Sequence, residues 1–271
     1  MAPLTTEQVI AGLDEVWTSI LEATDGLKES AWNLPTDCPG WDVSDQVAHV
    51  IGVELLLLGE PTPEVEIGER DYLKNDFGAS LEPWIEVRRS LTGKAVRGEL
   101  AEVAQRRLAA LRALDEPAFD AVGWSPIGQV PMRRFMEVRI MDCWVHEQDI
   151  RIALGRPGGR FSVGEATALA SADAALGGII CRGARAPEGT SVALEITGPQ
   201  GGRRRLEVVG GRAAWHEGPD ATVTLTMSQE TYVRRFAGRI SADEARIAEG
   251  TELVGDRQIG LAVLEAFGVM I

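Results

Sequence analysis

The chain has 271 residues, 45% of them hydrophobic, so it is long enough for two domains that each bury an apolar core. Its 41 acidic residues outnumber 27 basic ones, and the net charge of −14 argues against nucleic acid or an anionic membrane as a partner, because both require a basic surface. The three cysteines, Cys38, Cys143 and Cys181, are odd in number and far apart, which predicts free thiols in a reducing cytoplasm.

Apolar residues of the N-terminal part recur at helical spacing. Thr5 and Gln8 form a predicted capping box for an amphipathic helix over residues 6–24. Asp42 is predicted to cap a second helix that runs to about residue 58 and is apolar on most sides, so we expect it at the centre of a bundle. Further helices are predicted over 81–91, 99–114 and 131–154, the last opening with Pro131. Residues 61–78 and 117–130 are predicted to be irregular.

The pattern changes along the C-terminal part. A helix opened by Ser162 is predicted to reach residue 176. Alternating apolar residues then predict strands, and two helices are expected near the end of the chain. The predicted strands cover 191–197, 205–209, 212–215 and 221–227, and the helices cover 228–236 and 256–267. This order indicates a helical N-terminal part followed by a smaller α+β part.

Two of the three histidines occur in settings that suit a metal. Asp142 and His146 are four residues apart, so on a helix they share one face. With His49 from the second helix they make a site with three protein ligands and one open position. Zinc accepts these donors, and so do nickel, iron and manganese. Asp149 lies on the same stripe as Asp142 and is a candidate partner for an imidazole.

The spacing alone leaves a simpler alternative open. Asp-x-x-x-His is common by chance, and a histidine among valines, as at His49, is more often a core residue than a ligand. The third histidine, His216, is predicted to end a strand and to have no chemical role.

Two longer segments are more specific. Residues 38–43 (CPGWDV) followed by His49, together with residues 144–151 (WVHEQDIR), resemble the mycothiol-dependent maleylpyruvate isomerase family, which belongs to the DinB-like metal-binding superfamily. In the C-terminal part, residues 198–199, 219–223, 236–239 and 255–256 resemble the family's second, sterol-carrier-protein-like domain. The resemblance covers essentially the whole chain.

This resemblance implies a DinB-like four-helix bundle over residues 1–155, a helical junction over 156–190, and a sterol-carrier-like α+β domain with a mainly antiparallel sheet over 191–271. It also implies one divalent metal, usually zinc, held by His49, Asp142 and His146. The family has glutamate where this chain has Asp142. Aspartate is one methylene shorter, so the metal must lie closer to the helix or be held through water.

The resemblance further implies mycothiol as the thiol cosubstrate. A metal lowers the pKa of a bound thiol. The thiolate adds to an activated double bond, the resulting single bond rotates, and the thiolate leaves, which converts a maleyl to a fumaryl group. Alternatively it attacks an electrophile and stays attached, which is S-transfer. The ligand set does not separate these two reactions.

An anionic substrate needs arginines. The candidates are Arg139, Arg151, Arg234, Arg235 and Arg239. Each is more often a solvated surface residue, and Arg239, in residues 236–239 (FAGR), is the one expected to act in catalysis with Asp149. By contrast, Cys38 and Cys143 are predicted to be buried structural residues, and Trp41 and Trp144 to be core anchors rather than substrate contacts.

The function predicted from the sequence is therefore a cytoplasmic, metal-dependent isomerase or S-transferase. Its partners are a small-molecule substrate and a thiol, with no nucleic acid and no membrane, in a monomer or homodimer. No signal peptide is expected, since residues 1–7 lack a basic region and an apolar run. Two alternatives stay open: a non-enzymatic carrier of small ligands or lipids that uses the C-terminal domain, and a metal-binding stress protein without turnover.

Overall fold

The computed structural model describes residues 3–218 and 220–268, and the chain divides into two compact units, Met1–Ala168 and Leu169–Ile271. The described residues form eleven α-helices and seven strands, with a mainly antiparallel sheet. The predicted mixed fold is therefore confirmed. The boundary between the units falls within the segment 156–190, and the finer division of the chain into three parts stays a prediction.

The first unit consists mostly of helices, and its only strands among the described residues form a short hairpin. Its elements are α1 (Thr6–Ala23), α2 (Glu29–Trp32), α3 (Val43–Leu57), α4 (Asp76–Glu86), α5 (Gly93–Arg112), α6 (Glu116–Asp120), β1 (Val122–Ser125), β2 (Gly128–Pro131), α7 (Met132–Leu154) and the start of α8 (Val163–Gly178).

Four long helices pack around the core of this unit: α1 and α3 each contact both α5 and α7. The predicted capping box of α1 is present, since the Thr5 hydroxyl accepts from the amide of Gln8 and the Gln8 side chain accepts from the amide of Thr5. In α3, 12 of its 15 residues are buried, which explains why its sequence is apolar on most sides. Gly52 lets α4 approach α3 closely, because a Cβ at this position would lie 2.4 Å from the Cβ of Trp84.

Several boundaries differ from those predicted. Helix α4 begins five residues before the predicted start at residue 81, because Asn75 caps it by accepting from the amide of Gly78. Helix α5 likewise begins at a cap, Thr92, and not at Glu99. Residues 117–130 were predicted to be irregular and instead hold most of α6 and the β1–β2 hairpin. The short helix α2 was also not predicted.

The second unit contains a five-stranded sheet in the order β5-β4-β3-β6-β7. Strand β3 pairs in parallel with β6, and the other three pairings are antiparallel. The elements are a π-helical turn (Ile179–Gly183), β3 (Ser191–Thr197), β4 (Gly202–Val209), β5 (Arg212–Trp215), β6 (Val223–Ser228), α9 (Gln229–Phe236), α10 (Ala242–Ile247), β7 (Glu252–Gly255) and α11 (Arg257–Ala266). Strand β7 and helix α10 were not predicted, and Pro219 of the segment 219–223 lies outside the described residues.

Among the described residues, one helical stretch, Val163–Gly183, is long and apolar enough to cross a membrane by length and composition. However, 56% of its most apolar window is buried inside the structure. Core helices of folded domains pass the same test, so this stretch is weak support for a membrane span.

Candidate metal centre

Helix α3 carries the first candidate ligand. Its start is fixed by Asp42, whose side chain accepts a 2.9 Å hydrogen bond from the amide of Asp45. His49 lies about two turns further along, on a helix that packs against α5 and α7. Its imidazole is 8% exposed, so the ring lies in the interior of the helical unit.

Helix α7 carries the other two candidates. It runs from Met132 to Leu154 and ends at Gly155, which adopts the left-handed conformation (φ +61°) that glycine accommodates without strain. Asp142 and His146 are one turn apart on the side of α7 that meets α3. The Asp142 side chain is 20% exposed and the His146 side chain 5%.

The three side chains converge. Nε2 of His49 lies 3.4 Å from Oδ2 of Asp142, and Nε2 of His146 lies 3.6 Å from Oδ1 of the same carboxylate. One ligand atom from each residue can be chosen so that all three lie within 4.8 Å of one another. Bonds of about 2 Å around a tetrahedral ion put ligand atoms roughly 3.3 Å apart, so the set needs only small adjustments to hold a metal.

The charge states also suit a cation. Burial, together with the neighbouring His146, lowers the pKa of His49 to about 4, so this imidazole is neutral at neutral pH. Burial alone would raise the pKa of Asp142, but the nearby His146 and Arg139 outweigh it and hold that pKa well below its usual value. Metal ligands must be deprotonated, and both groups already are.

A buried ion network supports the carboxylate. Arg139 donates to Asp142 and to Oε1 of Glu54, at 3.1 Å from its Nε and 2.8 Å from its Nη2. Glu54 also accepts from Nε of Arg107 at 3.1 Å. All three residues of the Arg139–Glu54–Arg107 network are buried. Arg139 is a predicted candidate contact for an anionic substrate, and the structure instead pairs it with Glu54 and Asp142 in the interior of the helical unit.

The other candidate arginines of the first and second units have partners as well. Arg151 pairs with the buried Glu147 and donates to the hydroxyl of Ser19. In the second unit, Arg235 donates to the carbonyls of Leu264, Glu265 and Ile240, which fixes the end of α9 against α11. Arg239 follows α9 and donates to the carbonyl of Ala237 at 2.9 Å.

Trp41 is not the core anchor that was predicted. Its ring is half-buried and lies 5.0 Å from the ring of His49 and 5.7 Å from that of His146, centroid to centroid. It therefore forms an aromatic wall of the site. Trp144, in contrast, is buried and donates to the carbonyl of Gly159 at 2.7 Å, as expected of an anchor.

Gln46 is the site residue that the sequence did not reveal. Its Oε1 lies 2.5 Å from Nδ1 of His146, closer than the carboxylate of Asp149, which is 3.7 Å from the same nitrogen. Gln46 precedes His49 by three residues on α3, but nothing in that spacing indicates a contact with α7. The catalytic roles predicted for Asp149 and Arg239, and the ligand role of the His49, Asp142 and His146 cluster, stay predictions.

This helical fold with two imidazoles and a carboxylate in its interior defines a class of candidate metalloproteins. Within it, the chain belongs to the mycothiol maleylpyruvate isomerase family, because the family's N-terminal domain profile matches residues 13–151, just over half of the chain. The family resemblance inferred from the sequence is therefore confirmed. No curated protein matches the chain.

Solved structures support the fold. The crystal structure of the mycothiol-dependent maleylpyruvate isomerase superposes with a TM-score of 0.58 at 18% identity, covering 92% of this chain and 93% of that one. A histidine-to-alanine mutant of the same isomerase gives the same values. At this identity the likeness concerns the fold alone.

Proposed function

We propose that the protein is a metal-dependent enzyme that uses a low-molecular-weight thiol, mycothiol, for cis–trans isomerisation or S-transfer on a small electrophilic substrate. The observation that carries this proposal is the convergence of His49, Asp142 and His146 inside the helical unit. Family membership and the likeness to a mycothiol-dependent isomerase support it.

The proposal includes the finer architecture of the family. Helices α1, α3, α5 and α7 are proposed to be a DinB-like four-helix bundle, and the C-terminal residues 191–271 a sterol-carrier-like domain. The packing of α1 and α3 against α5 and α7 supports the first assignment. The β3–β6 sheet core flanked by α9 and α11 supports the second.

In this proposal His49, Asp142 and His146 hold one divalent ion, with zinc as the expected metal. When bound, such an ion supplies a Lewis acid that lowers the pKa of a thiol. The protein contributes a neutral imidazole at His49 and an ionised carboxylate at Asp142 without releasing a proton near neutral pH. The Trp41 ring packs beside both imidazoles and adds an apolar surface to this side of the site.

Asp149 and Arg239 have further roles in this proposal. Asp149 stabilises the Nδ1 side of His146, which its carboxylate approaches to 3.7 Å. Arg239 binds the carboxylate of an anionic substrate, because such a substrate needs a cationic partner. Replacing Arg239 by alanine is then expected to raise KM for an anionic substrate and to leave the metal content unchanged.

Metal content tests the proposal directly. Elemental analysis of purified wild type should give about one metal per chain, and His49→Ala and His146→Ala should hold markedly less. The matched control is His216→Ala, because His216 belongs to the second unit, where it pairs with Glu207 at 3.2 Å, and the three candidate ligands belong to the first. Equal metal in all four proteins would contradict the proposal.

Turnover then separates an enzyme from an inert binder. Wild type with mycothiol should isomerise maleylpyruvate, or conjugate the thiol to an electrophile, at a rate that falls when a chelator removes the metal and recovers when zinc is restored. A full metal content with no thiol-dependent turnover on either type of substrate would favour a metal-binding protein without catalysis.

A further inference from the structure

A chain of directional hydrogen bonds leads from the backbone of Trp41 to the ring of His146. The Thr36 hydroxyl lies 2.9 Å from the carbonyl oxygen of Trp41, and Nε2 of Gln46 lies 2.7 Å from the same hydroxyl. At its other end, Oε1 of the Gln46 amide lies 2.5 Å from Nδ1 of His146. The chain joins the loop before α3, α3 itself and α7.

The donor and the acceptor of each hydrogen bond can be assigned in turn, starting from the Trp41 carbonyl. The carbonyl of Trp41 only accepts, so the single hydroxyl proton of Thr36 is directed to it. The Thr36 oxygen is then left as an acceptor, which also receives the amide of Cys38 at 3.3 Å. The Gln46 group facing this oxygen must therefore be its NH₂. This fixes the amide orientation, which distance alone leaves ambiguous.

The amide orientation in turn sets the state of the imidazole. The Gln46 oxygen has no proton to give, so Nδ1 of His146 must carry one. Carboxylates lie at similar distances from both ring nitrogens, Asp149 at 3.7 Å from Nδ1 and Asp142 at 3.6 Å from Nε2, so the much shorter 2.5 Å contact with Gln46 decides between the tautomers. In a neutral imidazole the other nitrogen then bears the lone pair, and this Nε2 is the atom 3.6 Å from Asp142.

We infer that Thr36 and Gln46 are positioning residues that fix the Nδ1–H tautomer of His146 before any ligand arrives, so that Nε2 faces the cluster as a donor to a metal. The donation of Nε2 to a metal rests on the proposed function, whereas the assignment of the tautomer does not. His49 offers an internal contrast, because its buried Nδ1 has no hydrogen-bond partner among the residues that the structure describes.

Nuclear magnetic resonance can read the tautomer in metal-free protein. The chain has only three histidines, so long-range ¹H–¹⁵N correlations at pH 8.5 resolve each ring, and His49→Gln and His216→Gln complete the assignment. Wild-type His146 should carry its proton on Nδ1. Thr36→Val should move His146 towards a mixture of tautomers, while Thr36→Ser, which keeps the hydroxyl, should retain the wild-type signal.

A second pair of variants tests the role of the Gln46 side-chain amide. Gln46→Leu should lose the tautomer preference, and Gln46→Glu, which keeps an acceptor, should preserve it. Because Gln46 is fully buried, circular dichroism checks the fold of both variants. If Gln46→Leu does not fold, the Thr36 pair decides, since Thr36 lies in a half-buried loop.

Zinc titration of the same proteins gives the second readout. Thr36→Val and Gln46→Leu should bind zinc about 10–100-fold more weakly than wild type, and the two conservative variants should not. A wild-type His146 protonated on Nε2, or on both nitrogens at pH 8.5, overturns the inference, and so does an unchanged tautomer in Thr36→Val. If wild type shows the Nδ1–H tautomer but binds no zinc, the proposed function fails and the positioning role stands.

Discussion

Replacing Glu54 by glutamine should destabilise the helical unit strongly. Glu54 is 1% exposed and is shared by two buried arginines, accepting from Arg107 at 3.1 Å and from Arg139 at 2.8 and 3.1 Å. Glutamine offers one oxygen in place of two and carries no charge, so both guanidinium groups lose their common counter-ion in the interior. Removing one partner of a buried ion pair costs about 3–5 kcal/mol.

The control is an exposed ion pair formed by Arg106, the residue next to Arg107 on α5. Arg106 pairs with Glu60 at 2.5 Å, but these side chains are 51% and 42% exposed. Glu60→Gln should therefore change the free energy of unfolding by less than about 1 kcal/mol. Urea unfolding followed by tryptophan fluorescence measures both variants, because six of the seven tryptophans lie in the first unit. Midpoints lowered equally by the two substitutions would refute the reasoning.

Three other predictions concern the same unit. Gly40→Ala should destabilise the unit by more than Gly59→Ala. Both glycines have φ near +80°, but only at Gly40 would the added Cβ meet the ring of Tyr72, at 2.1 Å. Equal urea midpoints for the two variants would contradict this prediction. Because burial lowers the pKa of His49 from 6.5 to about 4, the unfolded chain takes up this proton first as the pH falls. Metal-free protein should therefore lose up to about 3 kcal/mol of stability between pH 6.5 and 4, a slope that His49→Gln should reduce. Burial raises the pKa of Cys143 to about 12, so native protein at pH 8 should resist alkylation at this thiol until urea unfolds it, as peptide mass spectrometry would show.

Features set by neighbouring residues were predictable from the sequence. The caps at Thr5, Asp42 and Ser162 each act within three residues, so they are visible in the sequence, and each opens the helix that was predicted. Asp142 and His146 lie one turn apart, and their proximity follows from helix geometry. The start of α4 was misplaced because residues 76–80 (DFGAS) include Gly78, a weak helix former, and show little apolar periodicity.

Contacts between distant parts of the chain were not predictable in the same way. Gln46 and His146 are separated by 100 residues, and Glu54 and Arg139 by 85. Each residue is ordinary in its own segment, and only the packing of α3 against α7 gives it a partner. The convergence of His49 with the α7 pair was anticipated through resemblance to a family, since spacing alone allowed a core histidine.

The orientation of the Asp142 carboxylate depends on a neighbouring arginine. Of the two carboxylate oxygens of Asp142, Oδ2 receives the hydrogen bond from Arg139, while Oδ1 faces His146 at 3.6 Å. Arg139 is itself held by Glu54, so the orientation of the carboxylate depends on a buried ion network as well as on α7. An aspartate side chain has one fewer rotatable bond than a glutamate side chain. With Oδ2 hydrogen-bonded to Arg139, the carboxylate of Asp142 can rotate little. The Arg139–Glu54 pair therefore helps to orient the Asp142 carboxylate, and Glu54→Gln should loosen Asp142 as well as lower stability.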